Sequence, residues 1–179
     1  MKTFFQYIIE FSQEYFQKLP PADPPADVLK CAEKFGLSGI IHWKWLKNKS
    51  FTHSYDVGDG LIAMRPDDIN ENWWHEVGHV VYDYSDQTLI IPLLDRIRDT
   101  YRAKSDGPSD ELKYIQLGGW RYSYSHSGKE YEHDEIFAIS FAFIYGDAGK
   151  FPDTDIQKDW DAMTDRLQKT GPVKNKNQC

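Results

Sequence analysis

The sequence predicts an α+β fold in which a small mixed sheet packs on two buried helices. Alternating apolar and polar side chains at residues 40–46 indicate a half-buried strand. The helices are indicated by the pentapeptide His75-Glu76-Val77-Gly78-His79 and by an apolar stretch at residues 135–145. With 179 residues, 40% of them hydrophobic, the chain can enclose one well-filled core, so we expect a single domain over residues 1–179.

The N-terminal elements follow from periodicity and proline placement. Residues 1–19 are expected to hold an amphipathic helix, because aromatic and aliphatic side chains recur at helical spacing from 3 to 18. Four prolines at residues 20–27 predict a stiff connector. A second helix is expected over residues 28–35, where Gly36 ends it.

The sheet is expected to continue in a hairpin. Residues 51–57 and 61–65 have strand character and flank Gly58-Asp59-Gly60, which predicts the turn between them. If the second strand lies at the sheet edge, it could pair with an extended peptide substrate. That expectation assigns substrate binding to Leu61, Ile62, Ala63 and Met64.

The pentapeptide has the spacing of a metal site on a helix. Residues four apart lie on one helical face, so His75 and His79 can reach one ion, while Glu76 lies about 100° away and can hold a water molecule. Alternatively, the histidines belong to a buried helix and bond neighbouring carbonyls. Asp83, one turn beyond His79, is a candidate acceptor for its second ring N–H, or else a solvated side chain near the helix end.

A catalytic zinc ion needs a third protein ligand and one open position. Glu135 is the candidate, because a carboxylate beside the apolar residues 136–145 is costly to bury unless a cation compensates its charge. His133 and Asp134 are the alternative ligands. The neighbouring acidic residues, Asp134 included, can also simply favour a helix N-terminus.

The remaining helices lie between and after these motifs. Residues 92–102 and 110–117 have helical spacing. A last amphipathic helix is expected over residues 153–169, followed by a polar tail at 172–179. Its inward-facing residues are expected to be Ile156, Trp160, Met163 and Leu167.

The stretch HEVGHVVYDYSD, followed by DEIFAISFAF, resembles the metalloprotease domain of the anthrax lethal factor-like family, which includes the Pro-Pro endopeptidases. The resemblance covers about residues 60–147. It implies a zincin-like fold, one Zn²⁺ ion held by His75, His79 and Glu135, and Glu76 as general base. More distantly, the two motifs are similar to the ImmA/IrrE-type metallopeptidases, which act on repressor proteins.

Two positions differ from the pattern of the lethal factor-like family. That family has a catalytic Tyr seven residues before the ligand Glu and a second Glu four residues after it, where this chain has Gly128 and Ile139. We expect Tyr124 to donate a hydrogen bond to the oxyanion instead. Tyr131 is the main alternative, and His126 is a further one.

These patterns predict a zinc endopeptidase that cleaves a protein or peptide substrate. The alternative is a zincin-like binding module with weak or no catalysis that acts on a partner protein, and the two departures favour it. A net charge of −7 argues against nucleic acid as a partner. The absence of an apolar membrane span, of a signal peptide and of a cysteine framework predicts a cytoplasmic protein, with secretion as an effector left open. The sequence does not predict an oligomeric state.

Overall fold

A computed structural model describes residues 16–46, 55–56, 59–64, 70–102, 129–146 and 149–173, with the backbone alone at 55–56, 70–72, 101–102 and 129–132. Within these ranges the chain has the predicted α+β fold, with a mixed sheet and five helices. The strands are β1 (Pro21–Ala22), β2 (His42–Trp45), β3 (Tyr55–Asp56) and β4 (Leu61–Met64). The helices are α1 (Ala26–Lys34), α2 (Asn70–Asp83), α3 (Gln87–Arg102), α4 (Lys129–Tyr145) and α5 (Thr154–Thr170).

The sheet has the strand order β1-β2-β4-β3. Its two inner strands run parallel, and each outer strand is antiparallel to its neighbour. The predicted hairpin is confirmed, since β3 pairs antiparallel with β4. Gly60 in the connecting turn has a φ of 75°, and a Cβ there would lie 2.3 Å from the carbonyl oxygen of Ile40, so this turn requires glycine.

Strand β4 lies inside the sheet, so the condition on which peptide binding by this strand depended, an edge position, is not met. Strand β2 pairs along one side of β4 and β3 along the other, so neighbouring strands already use its backbone hydrogen-bonding groups. All four side chains of β4 are buried. Binding of a peptide substrate by strand addition to Leu61, Ile62, Ala63 and Met64 is therefore wrong.

Both faces of the sheet are covered. Ile62 and Met64 of β4 point into the main core on the helix side, whereas Leu61 and Ala63 pack on the opposite face in a cluster with Phe16 and Leu46. This alternation is the two-residue period of a strand that is buried on both faces. Of the predicted N-terminal helix, residues 16 and 17 are helical, and residues 1–15 lie outside the described ranges.

Part of the proline-rich stretch is a strand rather than a connector. Pro21 and Ala22 form β1 and pair with Lys44 and Trp43 of β2. As the outermost strand of the sheet, β1 can accept a proline, a residue that cannot donate a backbone hydrogen bond. The Lys44 ammonium fixes the same region by donating hydrogen bonds to the carbonyls of residues 17 (2.6 Å) and 19 (2.7 Å).

Two helices begin earlier than the sequence predicted. Helix α3 starts at Gln87 instead of residue 92, because the Asp86 carboxylate accepts a hydrogen bond from the backbone N–H of Thr88 (3.0 Å), and Pro92 lies inside the helix. Helix α4 starts at Lys129, so Glu135 lies in its second turn rather than at its head. The predicted helix at 110–117 lies outside the described residues.

Helix α5 agrees closely with its prediction. The Asp153 carboxylate accepts hydrogen bonds from the backbone N–H groups of residues 155 (3.0 Å) and 156 (3.1 Å), which caps the helix, and Gly171 follows its end with a φ of 72°. The four residues expected to face inward are all buried. Trp160 packs on Phe137 of α4, with 5.4 Å between ring centroids, and so joins α5 to the helix that bears Glu135.

Candidate metal centre

Helix α2 places the two imidazoles of the pentapeptide against each other. His75 and His79 lie one turn apart, and their Nε2 atoms are 3.1 Å apart, with the rings nearly perpendicular at 87°. This arrangement follows from i, i+4 spacing on a helix. Two nitrogen donors therefore face one point beside α2.

Helix α4 brings a carboxylate to the same point. One oxygen of Glu135 lies 3.5 Å from Nε2 of His75, and the other lies 3.8 Å from Nε2 of His79. One donor atom from each of the three residues can be chosen so that all lie within 4.8 Å of one another. His75, His79 and Glu135 thus form a group that could hold a metal ion.

A close contact between α2 and α4 makes this convergence possible. A Cβ on Gly78 would lie 2.8 Å from the Cα of Ala138, well inside carbon–carbon contact distance. Gly78 lies one turn after His75 and directly before His79, and Ala138 lies one turn after Glu135 on the side of α4 that faces α2. The absence of a side chain at Gly78 therefore lets the two helices approach where the ligands must meet.

The donor set and its spacing fit a small transition-metal ion. Bonds of about 2.0–2.2 Å in tetrahedral geometry separate neighbouring ligand atoms by roughly 3.3–3.6 Å, and the three distances here lie close to that value. The side chains are 28% exposed for His75, 10% for His79 and 18% for Glu135. The three side chains are therefore mostly, but not completely, shielded from solvent.

Asp134 is the partner of the second nitrogen of His79. Its carboxylate accepts a hydrogen bond from Nδ1–H of His79 at 2.7 Å, which leaves Nε2 directed at His75 and Glu135. Such a contact fixes the tautomer and orientation of a ligating histidine. Asp134 is therefore the acceptor for the second ring N–H of His79, the role that the sequence suggested for Asp83. It is not in the group that could hold the metal, and it does more than favour a helix N-terminus.

The pKa values of the two histidines are shifted in opposite directions. Burial lowers the pKa of His75 to about 3, with the charge of His79 adding to the effect. Burial also opposes protonation of His79, but Asp134, with Glu76 and Glu135, raises its pKa to about 10. Without a metal, a proton on His79 therefore lies between the imidazoles, and a cation bound there would replace it, since a ligating histidine is neutral.

Glu76 follows the first ligand on α2 and is partly buried. Its negative charge is among those that raise the pKa of His79, so it lies within electrostatic reach of the centre. Ile139, where the lethal factor-like pattern has a second Glu, is 4% exposed and packs in the core. The carboxylate that bonds a candidate ligand in this chain is that of Asp134, on His79.

The remaining candidate site residues have different outcomes. Tyr124 and His126 lie outside the described residues, and Tyr131 lies in the first turn of α4, where only the backbone is described. His133 is not a third ligand, because its Nε2 bonds the carboxylate of Asp95 on α3 at 3.0 Å. Asp95 is a residue that the sequence did not indicate, and no local pattern marks it.

Comparison of this chain with family models, with curated proteins and with solved structures finds no significant match. Among the helices of the described ranges, none combines the length with the apolarity that a transmembrane segment requires. The case for a function therefore depends on the site itself.

Proposed function

We propose that this protein is a zinc-dependent endopeptidase. The observation that supports this most directly is the convergence of His75, His79 and Glu135 on one point, with Glu76 next to the first ligand. Two imidazoles and one carboxylate are the protein ligands of catalytic zinc in several peptidases, where a fourth position stays open.

Zinc is the preferred ion because of the donor atoms. Calcium and magnesium favour all-oxygen sites with six or more ligands, whereas imidazole nitrogen suits zinc and its neighbours in the first transition row. The hydrogen bond from Nδ1–H of His79 to Asp134 keeps Nε2 available as a donor. A neutral His75 offers its Nε2 in the same way.

When bound, zinc would polarise the carbonyl of a peptide and lower the pKa of a water molecule. Glu76 would then accept a proton from that water and later deliver it to the departing amine. Asp134 would hold His79 in place throughout. A further hydrogen-bond donor to the oxyanion would come from Tyr124, Tyr131 or His126, as the sequence resemblance implies.

The outer strand β3 is the better candidate for binding substrate, since β4 lies inside the sheet. Strand β3 contacts α2, the helix that bears both histidines. Among the described residues no strand pairs along its outer side. An extended peptide added there would run close to the metal ligands, and its main chain would supply the hydrogen bonds.

The proposal is tested by measuring metal content and peptide cleavage on the same preparations. Purified protein should contain about one zinc per chain and should cleave members of a mixed peptide library. Glu76→Gln should retain zinc but lose activity by roughly 10²–10⁴-fold, as expected for loss of a general base. The matched control is Glu33→Gln, since Glu33 is exposed on α1, away from the centre.

Three outcomes separate the possibilities. Zinc uptake with cleavage that depends on Glu76 supports the peptidase. Zinc uptake without cleavage of any peptide would favour the zincin-like binding module. A chain that takes up no transition metal would rule out the peptidase and the metal site, and would leave only a binding module that acts without a metal.

A further inference from the structure

A second hydrogen-bonded contact lies immediately beside the metal centre and joins α3 to α4. Nε2 of His133 lies 3.0 Å from a carboxylate oxygen of Asp95, and the guanidinium of Arg98 lies 2.8 Å from the same oxygen. The His133 side chain is 16% exposed, whereas that of Asp95 is 42% exposed. The contact therefore reaches from solvent on α3 into the interior at α4.

The position of His133 in α4 connects this contact to the ligands. His133, Asp134 and Glu135 are consecutive, and each has a different partner: Asp95 on α3 for the first, and the histidines of α2 for the other two. Successive helical residues are turned by about 100°, so His133 and Glu135 point to nearly opposite sides of α4. This turn of α4 is thus held by α3 on one side and by α2 on the other.

Precise placement of this turn is necessary for the centre. Asp134 meets His79 at hydrogen-bonding distance, and Glu135 lies 3.5 Å from His75. A rotation or shift of the turn by a few tenths of an ångström would change both contacts together, since the two residues are adjacent. A group that fixes the turn would therefore act on the ligand geometry without touching the ion.

We infer that Asp95 is a positioning residue of the metal centre, which acts through His133 to fix the turn of α4 that carries Asp134 and Glu135. The inference depends on the proposed metal site. The hydrogen bond from His133, with the nearby Arg98, also lowers the pKa of Asp95, so the carboxylate is in its charged form when it accepts the bond.

The test uses Co²⁺ as the probe, because its visible absorption reports ligand geometry. Asp95→Ala should weaken Co²⁺ binding by roughly 3- to 10-fold, less than the 10- to 100-fold typical for residues that bond a ligand directly, and should alter the absorption bands. Asp95→Asn keeps an acceptor oxygen for His133 and should restore most of the affinity. Thermal unfolding of the metal-free variants separates these effects from general destabilisation.

The matched control is Asp159→Ala. Asp159 of α5 bonds Arg96 of α3, so this substitution removes another tie of α3 that does not involve the metal-bearing turn. It should leave the Co²⁺ affinity and spectrum unchanged. In a His133→Ala background, Asp95→Ala should have no further effect, because the pathway through His133 is already removed.

Several results would overturn the inference. Wild-type affinity and spectrum in Asp95→Ala would do so, and so would an equal loss in Asp159→Ala or an undiminished effect of Asp95→Ala without His133. If the wild-type chain binds no Co²⁺, the proposed function fails and this inference fails with it. Normal wild-type binding with an unaffected Asp95→Ala variant removes the inference alone.

Discussion

Helices α2 and α4 contribute to the candidate metal centre in different ways. Within α2, His75 and His79 are brought together by the helical repeat itself, and their Nε2 atoms are 3.1 Å apart within one element. Glu135 joins them only because α4 packs closely on α2, at the contact between Gly78 and Ala138. One half of the site is thus local in the chain, and the other half is a product of tertiary packing.

This difference means that the two halves should respond differently to substitution. Side-chain changes on α2 remove donors directly, whereas changes in the packing between the helices shift a donor that is still present. A ligand group that forms from two separated segments also depends on folding, which a local pair of histidines does not.

The largest effect is expected from removal of a ligand. If a zinc-binding free energy of roughly 10–16 kcal/mol is shared among the three protein ligands, each contributes about 3–5 kcal/mol, so His79→Ala or Glu135→Ala should weaken metal binding by more than about 100-fold. Competition with a chromophoric chelator measures this loss. His42→Ala is the control, because His42 is exposed on β2. Full metal affinity in Glu135→Ala would show that α4 contributes no ligand.

The sequence predicted the local half of the site better than the packed half. The i, i+4 spacing of His75 and His79 is sufficient to join them, and the charge of Glu135 beside apolar residues indicated a compensating cation. The role of Asp134 was missed because it depends on which side of α4 meets α2. Asp83 satisfied the local spacing rule, but the rule does not include competition from another helix.

In the sheet, too, the local features were predicted and the long-range ones were not. Alternation and the Gly-Asp-Gly turn predicted the strands and the hairpin, because both are local. The interior position of β4 depends on its parallel pairing with β2, a long-range choice that strand patterns do not specify. Pro21 can lie in a strand because that strand is an outer one, and its position in the sheet depends on long-range pairing.

An intermediate effect is expected at Asp134. Asp134→Ala should weaken metal binding by roughly 10- to 100-fold, because His79 loses the acceptor that orients its ring. Asp83→Ala tests the assignment that helix spacing alone suggests, and it should have the smaller effect. The same chelator competition gives both values. A larger loss in the Asp83 variant would return this role to α2.

The helix contact itself is expected to affect folding stability rather than to remove a donor. Gly78→Ala should destabilise the protein by about 1–3 kcal/mol, because the new Cβ meets the backbone of α4. Helix propensity alone predicts the opposite sign, a gain of about 1 kcal/mol. Urea unfolding of the metal-free protein measures the change.

The exposed Ala162 of α5 provides the reference for that measurement. Ala162→Gly should destabilise by about 1 kcal/mol through propensity alone. A stabilised Gly78→Ala variant would mean that a methyl group fits between the two helices. The close contact between α2 and α4 would then not be what brings Glu135 to the histidines.

The separation of the ligands along the chain has one further consequence. More than fifty residues lie between His79 and Glu135, and coordination would close them into a loop. Since the ligand group forms only when the chain is folded, the ion would bind the folded state and not the unfolded one, and its binding free energy would add to the stability of the fold. The free energy of unfolding would then increase with the concentration of free metal around the protein.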